Sequence, residues 1–376
     1  MRGNITRRGK RSFRLKFDVG SDPLTGNRQT HFLTVRGTRA EAEQELTRQL
    51  AAVDSGGFVG PSKLTVGQWL EQWLSDQHGL ALKTAERYRQ LVDIQINPHL
   101  GKVLLQKLRP GQVKAWHGAL LSDGLAARTV GHAHRVLRKA LSDAMSLEVV
   151  TRNVAGAVPP PKVEDHELEI LTREQIAEVT TKLRGRSIYP VVVLALATGM
   201  RRGELLGLRW ADVDLDGAKL RVERSLEETT AGGLRFKAPK TKRGRRLITL
   251  PPRTVELLRA HRKQQLELRL ALGLGKMGAE ALVFPTPDST SPRSPRGLTK
   301  DWSRTVTALG LPRVTFHALR HTHVSALIAD GMDILTISRR LGHSNPNVTL
   351  AVYGHKFDAT DDRAASAIDA VLGELQ

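Results

Sequence analysis

The sequence predicts a multidomain, mainly α-helical protein. It would comprise a small β-sheet-plus-helix domain over 1–60, a four-helix domain over 62–158, and a mixed α+β, mostly helical domain over 168–376. Three observations predict this. Apolar and polar residues alternate with the period of a half-buried strand near the N-terminus. Apolar residues at three- and four-residue spacing dominate the next stretch. Pro159-Pro160-Pro161-Lys162 then interrupts, because consecutive prolines favour a stiff, extended linker.

In the first domain, Phe13-Arg14-Leu15-Lys16-Phe17 reads as one strand and His31-Phe32-Leu33-Thr34-Val35 as its return. Asp22-Pro23-Leu24-Thr25-Gly26-Asn27 between them is turn chemistry. Thr38 precedes a helical run through Leu46, Leu50 and Val53, closed by Gly56-Gly57. In the second domain Trp69, Leu70, Trp73 and Leu74 share one helical face. Thr84 is the expected N-cap of a helix carrying Tyr88, Leu91 and Val92 that ends near Asn97-Pro98. Pro110 suits a first turn ahead of Val113, Trp116 and Leu120, and Val130, His134, Leu137, Leu141 and Ala144 mark a fourth helix. Lys83, Arg87, Arg89, Arg128, Arg135, Arg138 and Lys139 lie mostly off these stripes.

The third domain follows an acidic, unstructured-looking Val163-Glu164-Asp165-His166-Glu167. It opens on a capping box, Thr172-Arg173-Glu174-Gln175, and a buried-looking helix from Val191 to Ala197 stops at Thr198-Gly199. β-like runs at Leu220–Val222 and Leu247–Leu250 precede a long helix from about Thr254 to Leu272. Loop-rich sequence from Pro285 to Pro295 leads to two more helices, and a C-terminal apolar stripe (Ala365, Ile368, Val371, Leu372, Leu375) predicts a last helix near 364–375. That stripe suits docking on a neighbouring protomer or packing on its own domain.

Composition narrows the function. Lys and Arg number 58 against 38 Asp and Glu, a net charge of +20, and ten of the basic residues fall in the first 40 positions. Such an excess points to a polyanion, because releasing counterions from phosphates drives binding. There are no cysteines, which removes disulfides, thiolate nucleophiles and cysteine zinc sites and suits a reducing cytoplasm. Met1-Arg2-Gly3-Asn4 leads into a basic stretch rather than a secretory signal, and no apolar run approaches the roughly 20 residues of a membrane span. The expectation is a cytoplasmic protein with no membrane partner.

Tyrosine is scarce: Tyr88 and Tyr189 have the setting of packing residues, whereas Tyr353 precedes Gly354, which cuts a short helical piece and suits a mobile, exposed edge. Leu341-Gly342-His343 stands ten residues before Tyr353. Further back, His317 and Arg320 lie three apart on one helical face within Thr315-Phe316-His317-Ala318-Leu319-Arg320-His321-Thr322-His323. Thr198-Gly199-Met200-Arg201-Arg202-Gly203-Glu204-Leu205 places Arg201 at a helix start, and Lys240-Thr241-Lys242-Arg243-Gly244-Arg245-Arg246 reads as a basic hairpin turn. His321 and His323 read as packing or supporting groups. A metal site built from His317, His321, His323 and His343 would lack an acidic partner, and no H-E-x-x-H pattern occurs, so no metal is expected.

These boxes, in this order and spacing over about 168–357, resemble the catalytic domain of tyrosine recombinases, the phage integrase family. The two preceding domains resemble its arm-binding and core-binding domains in architecture. The resemblance implies a catalytic set of Arg201, Lys240, His317, Arg320, His343 and the nucleophile Tyr353, with Lys242 as the alternative to Lys240. It implies site-specific strand exchange on double-stranded DNA at core and arm sites, through a 3′-phosphotyrosyl intermediate, integrating or excising a phage or mobile element. No cofactor or metal is implied. The partners implied are a homotetramer on DNA and DNA-bending or directionality accessory proteins, inside a bacterial cell.

Chemistry explains the residue types. Arg201 and Arg320 would neutralise the non-bridging phosphate oxygens with bidentate forks as charge grows in the transition state. Tyr353, with an ordinary pKa near 10, needs a proton acceptor, for which His317 is the candidate. Lys240 would protonate the leaving 5′ oxygen, His343 would hydrogen-bond the phosphate, and Glu204, one turn after Arg201, would buttress the site rather than react. A type IB topoisomerase and a non-catalytic DNA-binding regulator are the alternatives, and the separate N-terminal domains and the complete residue set favour the recombinase.

Overall fold

The computed structural model describes residues 3–21, 26–164, 169–239, 242–288, 290–343 and 345–347, together with Leu350, Tyr353, Ile368, Asp369 and Leu372. The chain divides into two compact units, residues 1–165 and 166–376. The architecture is mostly helical with small antiparallel sheets, as predicted.

The first unit holds two hydrophobic clusters. One belongs to a three-stranded antiparallel sheet, β1 (Gly3–Gly9), β2 (Ser12–Ser21) and β3 (Arg28–Arg36), backed by helix α1 (Arg39–Asp54). Phe13, Leu15 and Phe17 of β2 point to α1, so Arg14 and Lys16 face the other side. The first strand, rich in Gly and Arg, carries no alternation and was not predicted. Thr38 caps α1 with a full capping box, its hydroxyl accepting from Glu41 N and Glu41 accepting from Thr38 N.

The second cluster is the helical one: α2 (Val66–Ser75), α3 (Leu82–Leu91), α4 (Asn97–Leu100), α5 (Pro110–Ser122) and α6 (Ala127–Ser146). Thr84 does not cap α3. Its N–H donates to Ala81 O within the first turn, so the helix starts earlier than its sequence predicts. Nor does the chain stop at Asn97-Pro98. A π turn over Val92–Ile96 shifts the backbone, and Pro98 then sits in the first turn of α4, where it forfeits no hydrogen bond.

The second unit runs α7 (Arg173–Leu183), α8 (Tyr189–Thr198), α9 (Arg202–Leu206), β4 (Val213–Asp214), β5 (Lys219–Val222), β6 (Ser225–Thr229), β7 (Gly233–Lys237), β8 (Arg246–Thr249), α10 (Pro252–Ala271), α11 (Pro295–Ala308), α12 (Ala318–Ala329) and α13 (Ile334–Leu341). Among the described residues, three named helices rather than two follow the proline-rich loop. The basic run before β8 is not the tip of a simple hairpin: β7 pairs with β6, while β8 pairs with β5 in a separate sheet. Apolar α8 lies at the centre and packs against α12, with Leu194, Leu205, Trp302 and Leu319 fully buried. The C-terminal helix expected near 364–375 lies outside the described residues except for helical Ile368, Asp369 and Leu372.

Candidate active site

Two glycines create the site. Helix α8 ends at Gly199 in the left-handed region (φ 63°), and a Cβ there would come within 2.6 Å of the His323 ring. The chain turns sharply, and Arg201 becomes the N-cap of α9. Glu204 reaches back, taking Arg201 N at 2.9 Å on one oxygen and Arg201 Nη1 at 3.0 Å on the other. Glu204 is buried while Arg201 stays exposed, so the guanidinium is anchored at its base and presented to solvent.

Gly342 (φ 65°) ends α13 in the same way and turns the chain into His343. Arg320 joins both glycine turns. Its Nη1 donates to Gly199 O at 2.6 Å, and its Nη2 donates to Leu341 O and to His343 Nε2, each at 2.9 Å. Because a guanidinium only donates, His343 Nε2 is the acceptor and its proton sits on Nδ1. Burial, then the charge of Arg201, pulls Arg320 down to about 9. Burial, then Arg320 and Arg201, pulls His343 down to about 4, so it is neutral near pH 7.

Tyr353 departs from its predicted exposed position. It is buried, only 3% exposed, against Val324, Ile328, Ile337 and Leu341. Its hydroxyl hydrogen-bonds His321 Nδ1, not His317. The reason is helical geometry. His317 ends the turn before α12 and His321 lies one turn on along the same face, nearer Tyr353. The two imidazoles meet edge to face at 4.9 Å between centroids. Burial lowers His321 to about 4, leaving a neutral ring beside the phenol. Desolvation and then Arg320, Arg201 and Arg202 lower His317, although its ring keeps an open solvent face. Burial raises Tyr353 to about 12, with Arg320 opposing.

The structure therefore brings together Arg201, His317, Arg320, His343 and Tyr353, residues that span 201 to 353 in the sequence. Lys240 lies outside the described residues, as does the side chain of Lys242. Sequence reasoning passed over two residues. His321 reads from sequence as a packing or supporting group, and its i+4 relation to His317 is the available signal for more. Arg246 was one cation in a basic run, yet it is buried and bonded to Glu204. His323 does pack: its Nδ1 meets Leu196 O at 2.7 Å. No cluster of three or more metal-ligating side chains occurs among the described residues.

Two guanidiniums, neighbouring imidazoles and a phenol thus converge in the second unit. Residues 164–360 match the phage integrase family and residues 65–121 match the phage integrase N-terminal SAM-like domain. The chain belongs to the phage integrase family.

It is 27% identical to a XerC-like tyrosine recombinase of Caldanaerobacter subterraneus subsp. tengcongensis, with 94% of each chain covered. It is 30% identical to an integrase of Streptomyces ambofaciens, covering 94% of this chain and 92% of that one. Among solved structures, the Tn1549 transposon integrase in complex with transposon right end DNA superposes with a TM-score of 0.71 at 22% identity, over 82% of this chain and 99% of that chain. A lambda integrase tetramer bound to a Holliday junction gives 0.55 at 19% identity, over 91% and 92%.

Proposed function

We propose that this chain cuts and rejoins double-stranded DNA at specific sites, with Tyr353 forming a 3′-phosphotyrosyl bond that a 5′ hydroxyl of the partner duplex later reverses. The observation that carries this is the convergence of Arg201, Arg320 and His343 beside Tyr353. Arg201 and Arg320 bind the scissile phosphate, and neutral His343 hydrogen-bonds it. The phenol passes its proton to the neutral imidazole of His321, with His317 the next group along. At a pKa of about 12, only about one phenol in 10⁴–10⁵ ionises spontaneously near pH 7.5, so that transfer has to accompany attack. Lys240 protonates the leaving 5′ oxygen.

The helical domain supports a DNA-facing role. Arg135, Arg87 and Arg128 lie close enough to His132 to lower its imidazole together with burial, the larger cause. The N-terminal sheet is the arm-site module: Arg14 lies 4.4 Å over the exposed Phe32 ring, beside Lys16, on the face away from α1. DNA-bound relatives and the lambda tetramer support a homotetramer on DNA, with bending or directionality proteins as further partners. A DNA substrate places the protein in the bacterial cytoplasm. No helix among the described residues is long and apolar enough to cross a membrane.

The test is a nicked suicide duplex that traps the adduct on a denaturing gel. Tyr353→Phe binds the duplex but forms no adduct, whereas Tyr88→Phe and Tyr189→Phe form it. Cleavage persists in excess EDTA, since two arginines supply the charge neutralisation. An adduct from Tyr353→Phe, or its loss on chelation, overturns the reading.

A further inference from the structure

Arg246 is buried, although its neighbours Arg243 and Arg245 are exposed. Burying an unpaired guanidinium is strongly unfavourable, so its bonds must account for its position. Nη2 donates to Glu204 Oε2 at 2.8 Å, Nη1 to Glu204 Oε1 at 3.3 Å and to Gly244 O at 3.1 Å, and Nε to Arg340 O at 2.7 Å. Those four bonds use four of the five N–H groups a guanidinium has, which leaves little to offer a substrate.

The partners belong to three different parts of the site. Glu204 anchors Arg201. Gly244 lies in the basic run that contains the candidate lysines. Arg340 is in the last turn of α13, two residues before the Gly342 turn into His343. A Cβ at Gly342 would come within 3.0 Å of Arg246 Nη1, so the guanidinium packs directly on that turn. We propose that Arg246 is a positioning residue for strand cleavage: through Glu204 it holds Arg201 outward, and through the Arg340 carbonyl it holds the turn carrying His343.

The charge balance gives the mechanism. Both Glu204 oxygens are shared between Arg201 and Arg246. Burial alone would raise the Glu204 carboxyl, but the hydrogen bond and charge of Arg246 hold it below its ordinary value. Without Arg246 the buried carboxylate has only Arg201 as counter-ion and draws that guanidinium inward, away from a phosphate. This inference rests on the reading of Arg201 and His343 as phosphate ligands.

The experiment compares the wild type, Arg246→Met and Arg246→Lys on the nicked duplex, with either an ordinary scissile phosphate or a methylphosphonate, which lacks one charged oxygen. Arg246→Met should lose adduct formation by roughly 10²-fold on phosphate, the scale of a misplaced catalytic group. The loss should fall below about tenfold, relative to wild type, on the methylphosphonate. Arg246→Lys keeps a buried cation but cannot bridge three partners, and should fall between the two with the same substrate preference. It carries the test if a melting curve shows Arg246→Met unfolded. A wild-type rate in either folded variant, or equal losses on both substrates, overturns the inference. No adduct from the wild type on ordinary phosphate would instead overturn the underlying reading.

Discussion

Two pairs of imidazoles in this protein look alike and have opposite consequences. His317 and His321 meet at 4.9 Å between centroids, and His117 and His134 at 5.0 Å, both edge to face. Desolvation is the largest cause lowering all four. The difference lies in what surrounds them. The first pair sits between Arg320, Arg201 and the Tyr353 hydroxyl, at the edge of a surface with an open side. The second joins α5 to α6 in the helical core through a 3.1 Å contact between His117 Nε2 and His134 Nδ1, and His134 Nε2 has no partner there. A neutral imidazole beside a phenol is a proton acceptor, while the same ring between helices is a stability cost at low pH.

The largest expected effect breaks the comparison on the chemical side. His321→Gln should lose adduct formation by roughly 10²–10⁴-fold, the usual size of general base catalysis, and more than His317→Gln. His134→Gln should leave the adduct rate of the folded enzyme unchanged. The reverse order for His321 and His317 returns the acceptor role to His317. A rate loss in folded His134→Gln would erase the distinction between the pairs.

Leaving-group chemistry sharpens the same comparison. Replacing the bridging 5′ oxygen with sulfur gives a leaving group that needs no proton. Lys240→Ala should lose roughly 10²–10⁴-fold on ordinary DNA and regain cleavage on the sulfur substrate, whereas His321→Gln should not. Rescue of Lys242→Ala instead would move the acid two residues along. Rescue of His321→Gln would place that imidazole on the leaving-group side.

The smallest effect concerns the helical pair. His134 is held at about 4 in the fold, against an ordinary 6.5, by burial, then His117, Arg138 and Arg135. Between those values the unfolded chain takes up a proton that the folded chain does not. Its contribution to stability is therefore complete above about pH 6.5 and is lost as pH falls towards 4. That loss is on the order of 3 kcal/mol. Denaturant titrations at pH 7.5 and pH 4.5 should show His134→Leu losing less stability on acidification than wild type. Equal losses would mean the pair is not what titrates.

Where sequence and structure agree, the signal is local. The Thr38 and Thr172 capping boxes, the first-turn Pro110, and the glycines after Thr198 and Leu341 each require only neighbours a few residues away. The Arg201, His317–Arg320 and Leu341-Gly342-His343 motifs are read from the sequence for the same reason, since each is a pattern of near neighbours. Where they disagree, distant contacts decide. Ser225–Thr229 and Gly233–Lys237 pair as a hairpin whose charged residues obscure the strand period, with Glu227 opposite Arg235 and bonded to Lys237. Tyr353 is buried by α12 and α13, which no spacing near Gly354 encodes. Arg246 differs from its basic neighbours because Glu204, 42 residues earlier, and the Arg340 carbonyl, 94 residues later, fold against it.

Every role proposed for the site depends on Tyr353 being the nucleophile whose phenolic oxygen attacks the phosphorus. The most direct measurement is to trap wild-type enzyme on a suicide duplex, digest the adduct with protease and nuclease, and locate the nucleotide-bearing residue by mass spectrometry. The expected result is a nucleotide linked through a 3′ phosphate to Tyr353 alone. A nucleotide on any other residue, or a 5′ linkage, would contradict it.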